Sequence, residues 1–145
     1  MKLLKSLKRL VFTGLVKQHC AEFGEGLCVN HLTRVTKQTY IGKFCNFNGM
    51  TVNGNGRVDI GSYFHSGEDC YIISQNHNFE GTAIPYDNTY ISKPVRIEDF
   101  VWMGTRVMVL PGVTIGEGAI IQGGGSSSKR CSCYGYCRRQ SGPSI

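Results

Sequence analysis

No apolar run in this chain is long enough to cross a bilayer, and no basic stripe interleaved with aromatics marks a nucleic-acid surface. Charge is sparse at 18% of residues, proline occurs four times and tryptophan once. The first residues also lack the pattern of a secretion signal, since lysines interrupt what would have to be a continuous apolar region. His19 before Cys20 argues equally against a lipoprotein cleavage site. These absences point away from membrane spans, nucleic acid and export. A cytoplasmic domain is expected, with its seven cysteines mostly free thiols. A chain of 145 residues can bury one real core.

Glycine is what the chain has in quantity, 19 residues, and much of it falls in a pattern. Phe23, Val29, Val35, Ile41 and Phe47 stand six residues apart. Ile60 and Ile72 take up the count, and Ile91, Ile97, Met103, Val109, Ile115 and Ile121 resume it. Small or β-branched residues follow four positions later, among them Thr33, Thr39, Cys45, Thr51, Cys70, Val95, Val101, Val107, Val113 and Ala119. Glycine comes directly after the large position at Gly42, Gly61, Gly104 and Gly116. Neither a helix nor a simple hairpin sheet has that period. A solenoid of short strands does, because each strand buries one large side chain and each corner needs tolerant backbone. The repeat predicts an all-β fold, a parallel β-helix of triangular coils with three hexapeptides to a turn.

On this count residues 23–40, 41–59, 60–77, 91–108 and 109–126 are successive coils. The second carries one extra residue, expected near Asn53-Gly54-Asn55-Gly56, where a bulge is easily absorbed. The count fails from about Asn76 to Tyr90, a polar segment containing Pro85, so residues 76–90 are expected to leave the prism as a loop. Residues 1–22 form an amphipathic cap. Leu3, Leu4, Leu7, Leu10 and Val11, among Lys2, Lys5, Lys8 and Arg9, predict a short helix over the first coil. Peripheral membrane contact through residues 1–17 is the alternative reading.

Residues 23–125 make the repeat domain, and after Gly125 the period stops. Residues 126–145 bring three cysteines, four cations and no aliphatic side chain before Ile145. Read one nucleotide later with suitable codons, this tail becomes an apolar string that would continue the repeat and close the coil. The sequence therefore reads as off-frame over its last 20 residues.

Three segments now carry a resemblance: Asn76-His77-Asn78, Pro94 through Gly104, and Leu110-Pro111-Gly112-Val113-Thr114-Ile115-Gly116 through Ile121. Together they resemble the hexapeptide-repeat acyltransferases, and most of all the galactoside, maltose and xenobiotic O-acetyltransferase branch. The likeness covers about residues 23–125. It implies a left-handed β-helix, a homotrimer, and acetyl-CoA as cosubstrate in a groove between neighbouring prisms. It implies a small-molecule acceptor, a sugar first of all, and no metal.

Acetyl transfer to a hydroxyl needs a base for the proton as the oxygen attacks the thioester carbonyl, and imidazole suits that task near neutral pH. His77 stands where the count breaks, and by the resemblance it is the catalytic base. His19 and His31, placed in or near the start of the helix, and His65, at a coil corner, are expected to be structural or exposed. The resemblance makes Trp102 a wall of the cofactor groove and puts the backbones of Gly104, Thr105, Gly123 and Gly124 along the pantetheine arm. Lys129 matches a lysine near the CoA site. Asn46 and Asn48 resemble an Asn-Phe-Asn element that binds the acceptor hydroxyl, although asparagine at a corner is also ordinary turn chemistry. Tyr86 and Asp87, with Tyr90, are the loop residues placed to meet a polar acceptor.

Two rival readings stay open. A solenoid without catalysis gains weight if the tail is as written, because uncovered strand edges would follow. A zinc enzyme of the γ-carbonic anhydrase kind needs three histidines on one metal, and only His65 and His77 are candidates.

Overall fold

The computed structural model describes residues 2–127 and 136–137. Behind the helix Lys2–His19 the chain winds as a parallel β-helix with three faces. The first face stacks Glu22–Phe23, Thr39–Ile41, Val58–Ile60, Val95–Ile97 and Thr114–Ile115. The second stacks Cys28–His31, Asn46–Asn48, His65–Ser66, Trp102–Met103, Ile120–Ile121 and Tyr136–Cys137. The third stacks Met50–Asn53, Cys70–Ile73, Met108–Val109 and Ser126–Ser127. All these pairings are parallel, as the hexapeptide pattern requires.

The core is a column of the residues the repeat marks. Val29, Phe47, Ile72, Ile97, Met103, Val109, Ile115 and Ile121 are buried, and so are Cys45, Cys70, Val95, Val101, Val107 and Ala119 at the small positions. Each large side chain taken from water contributes roughly 1.5–3 kcal/mol, which is how strands of two to four residues hold together.

Three expectations shift where the count and the winding part company. Phe23 is exposed, because it lies on the outermost strand, where Lys17 rests over its ring at 5.0 Å. Met50 and Val52 point inward and Thr51 does not, since the register already slips between Val29 and His31. Ile91 satisfies the six-residue spacing yet belongs to no coil. It lies in Tyr90–Ser92, which pairs antiparallel with Gln75–His77, so the excursion starts and ends in a hairpin. The expected site of extra length is present: Gly54 takes a φ of 106° against Ser74 and Gln75.

The helix caps the first coil through Val16, Phe12 and Cys20, and Thr13 Oγ1 accepts the Val29 N–H at 3.1 Å. No described helix is long and apolar enough to cross a membrane. The tail beyond residue 127 falls outside the described residues apart from Tyr136–Cys137, which pairs with Ile120–Ile121. Ser126–Ser127 likewise extends the third face beside Met108–Val109.

Candidate active site

The chain leaves the third face after Ile73 and returns to the first face at Val95. His77 sits at the root of that excursion, in register with Tyr90. Its exposed ring stacks on Tyr86 with centroids 3.9 Å apart and leans on Tyr90 at 4.5 Å. Neither ring nitrogen has a hydrogen-bond partner among the described residues. The imidazole is thus held through its ring contacts rather than through its nitrogens. Asn53, Gly54, Tyr71 and Ile73 line the cleft beside it.

The loop is tied from within. The Asp87 carboxylate accepts the backbone N–H and hydroxyl of both Thr89 and Thr82. These bonds, the Thr89 hydroxyl foremost, pull its pKa from 3.8 down to about 2. Gly81 passes so close that a Cβ there would come 2.3 Å from Asp87 Oδ2. Tyr86 and Asp87, expected to meet the acceptor, thus have a task the sequence did not disclose: they hold the loop and the His77 ring.

The second face carries a row of polar groups. Phe47 turns into the core, so its neighbours Asn46 and Asn48 face outward. Asn30 Nδ2 donates to Asn46 Oδ1 at 2.9 Å and to Asn48 Oδ1 at 2.8 Å. Asn48 Nδ2 in turn donates to the Ser66 carbonyl at 2.8 Å and to His65 Nε2 at 3.2 Å. With both Asn30 hydrogens used this way, the network assigns the His65 proton to Nδ1 and leaves Asn46 Nδ2 without a partner among the described residues. His65 lies in a strand rather than at a corner, and His31 ends the strand Cys28–His31 near the start of the prism. Asn30 and His65 are the site residues that spacing missed. The signal was present: Asn30, Asn48 and Ser66 are 18 residues apart.

Trp102 continues that row, paired with His65 on one side and Ile120 on the other, and is 51% exposed. It is not a core aromatic. Two residues on, Gly104 turns the corner so tightly that a Cβ would come 2.6 Å from Gly123 N. Its own N–H donates to the Ile121 carbonyl, and the Gly124 N–H donates to the Thr105 carbonyl at 2.8 Å. Trp102, Gly104, Thr105, Gly123 and Gly124 thus share one edge of the prism. Among the described residues, a Cβ on Gly124 would meet nothing within 4 Å. Lys129 lies outside the described residues.

The glycine edge joins the second face to the third, whereas His77 follows the far end of the third. One chain therefore does not bring the two halves together, and the His77 cleft includes neither Trp102 nor the Asn46–Asn48 pair. Among the described residues no group of three or more His, Cys, Asp and Glu is placed to hold a metal. His65 serves the asparagine row and His77 the tyrosine stack.

No family model matches the chain. It is 32% identical over 88 residues to the galactoside O-acetyltransferase of Lactococcus lactis subsp. lactis, covering 61% of this chain and 42% of that protein. The chain spans less than half the length of the curated relatives it matches. Its fold is that of a hexapeptide-repeat acetyltransferase from Vibrio cholerae complexed with acetyl coenzyme A, at a TM-score of 0.72. That likeness has 22% identity and covers 83% of this chain and 67% of the other. A galactoside acetyltransferase in complex with coenzyme A is similar at a TM-score of 0.71 and 25% identity, over 83% of this chain and 61% of that one.

Proposed function

We propose that this hexapeptide-repeat prism is an acetyl-CoA-dependent O-acetyltransferase whose acceptor is a hydroxyl of a sugar or a similarly polar small molecule. The observation that carries the reading is the imidazole of His77, held by two tyrosine rings with no hydrogen bond to its nitrogens among the described residues, at the excursion between Ile73 and Val95. Two solved proteins of like fold hold acetyl coenzyme A and coenzyme A respectively, and the glycine edge beside Trp102 suits that cosubstrate. Trp102 offers a ring face to it, and the backbone around Gly124 leaves room for a narrow arm.

In the transfer, the acceptor oxygen bonds to the thioester carbonyl carbon while His77 takes the hydroxyl proton. The tetrahedral intermediate then breaks its carbon–sulfur bond, and the proton passes from His77 to the departing thiolate. The Asn46 and Asn48 row faces outward on the cosubstrate side and orients the acceptor. Because His77 and the glycine edge lie at opposite ends of the third face, the complete site forms between two chains. A cyclic homotrimer closes such head-to-tail contacts. Free thiols at Cys20, Cys28, Cys45 and Cys70 accord with a reducing, cytoplasmic setting.

The test is the His77→Ala variant. Turnover with acetyl-CoA and a screened sugar acceptor is expected to fall roughly 10²–10⁴-fold, while the rise in melting temperature caused by CoA stays as in the parent. Undiminished turnover would remove histidine from the mechanism. A parent that CoA does not stabilise would instead favour the non-catalytic solenoid.

A further inference from the structure

The helix Lys2–His19 uses only its smaller apolar side to cap the prism. At about 100° per residue, Phe12, Val16 and Cys20 fall together and are the side chains that pack on the first coil. Leu3, Leu7, Leu10, Val11, Leu4 and Leu15 occupy the opposite arc as a continuous stripe, whose Leu3, Leu7 and Leu10 edge borders an open groove against Gly26, Leu27 and Cys28 of the first coil. The stripe residues are exposed, from 84% at Leu3 to 39% at Leu15. Capping does not require them, since the side chains packed on the core are Phe12, Val16 and Cys20.

The charge on this helix has one sign. Residues 2–19 hold five lysines and arginines and no carboxylate, which accounts for five of the chain's net six positive charges. No ion pair involves Lys5, Lys8 or Arg9 among the described residues, although three other pairs form across the prism. Lys8 flanks the leucine stripe on one side and Lys17 on the other, with Lys5 and Arg9 behind. An apolar stripe bordered by unneutralised cations matches a surface with an apolar interior and an anionic rim. A second copy of the helix would meet it with like charges.

We infer that the exposed leucine stripe of the N-terminal helix docks the protein on an anionic lipid surface, the helix lying in the headgroup plane. This holds whether or not the prism is an acetyltransferase, because it rests on the helix alone. The catalytic His77 and the glycine edge are not used by it.

Vesicle flotation with the full chain tests this, using phosphatidylcholine vesicles with and without phosphatidylglycerol. The parent is expected to float with the anionic vesicles, to stay behind with the neutral ones, and to be released by high salt. Leu7→Glu with Leu10→Glu should abolish flotation. Lys8→Gln, which removes the cation bordering the stripe, should lower the partition coefficient roughly fivefold. These positions are exposed, so both variants should keep the parent's melting temperature. Flotation that ignores lipid charge, or survives loss of the leucines, would overturn the inference. So would a leucine variant that sediments as a smaller particle than the parent, because a second copy would then cover the stripe.

Discussion

Asp87 and Cys45 show what single side chains contribute beyond packing. The Asp87 carboxylate is held ionised by the Thr89 and Thr82 donors, down to about 2 from 3.8. A lowered carboxylate stabilises the folded form above its ordinary range and loses that effect as pH falls through the folded value. The loop tie should therefore persist at pH 4 and fail only near pH 2. Asp87→Ala should break it at neutral pH, read as faster hydrogen exchange at the Thr82 and Thr89 amides with the coils unchanged. Burial pushes the Cys45 thiol the other way, from 9.0 to about 11. Its Sγ donates to the Gly61 carbonyl at 3.1 Å. Here the stability is present below the unfolded value and declines as pH rises from about 9 to about 11. A thiol reagent at pH 8 should leave Cys45 and Cys70 unmodified until the protein is unfolded. At this scale the positions of His77 and Trp102 were legible in the sequence, one at the break in the count and one facing outward in its repeat. Asn30 and His65 went unread, because the repeat marks inward positions and does not say which outward side chains meet between coils, although Asn30 and Asn48 stand 18 residues apart.

Among the elements, one corner is built against backbone preference. Phe44, Tyr63 and Phe100 all adopt positive φ, from 55° to 59°, where glycine stands at Gly26 and Gly118 in coils at either end. Each such residue costs about 1–2 kcal/mol. The three rings offset this by stacking, Phe44 on Tyr63 at 5.2 Å and Tyr63 on Phe100 at 5.0 Å. Such contacts are worth about 0.5–1.5 kcal/mol each. Tyr63→Ala, which keeps the strain and loses both contacts, should destabilise by about 1–3 kcal/mol. Tyr63→Gly should recover about 1 kcal/mol of that, and thermal unfolding of the two variants checks the order. A larger loss for glycine would mean that the strain is not real. The coils themselves were readable because each buries one large residue at a fixed interval. The hairpin was not, because Ile91 meets the interval by coincidence while its strand pairs antiparallel with Gln75–His77.

For the whole molecule, the proposed function makes assembly part of the chemistry, because His77 and the glycine edge lie apart in one chain. Sedimentation equilibrium is expected to give three chains per particle, and Trp102→Ala to weaken CoA binding without dissociating them. An active monomer would contradict the shared site. The resemblance named this arrangement, but nothing in one chain's spacing shows which edges meet, since the repeat treats its three faces alike. Strands elsewhere in the fourth and fifth coils pair with partners 18 residues on, as Trp102 does with Ile120, yet His65 pairs with Trp102 across 37. The stack closes over that interval as though nothing had been spliced in. Length and composition between Gln75 and Ser92 are consequently free to vary without disturbing the frame. Such a chassis lets the projecting arm be exchanged wholesale while one rigid trunk is kept.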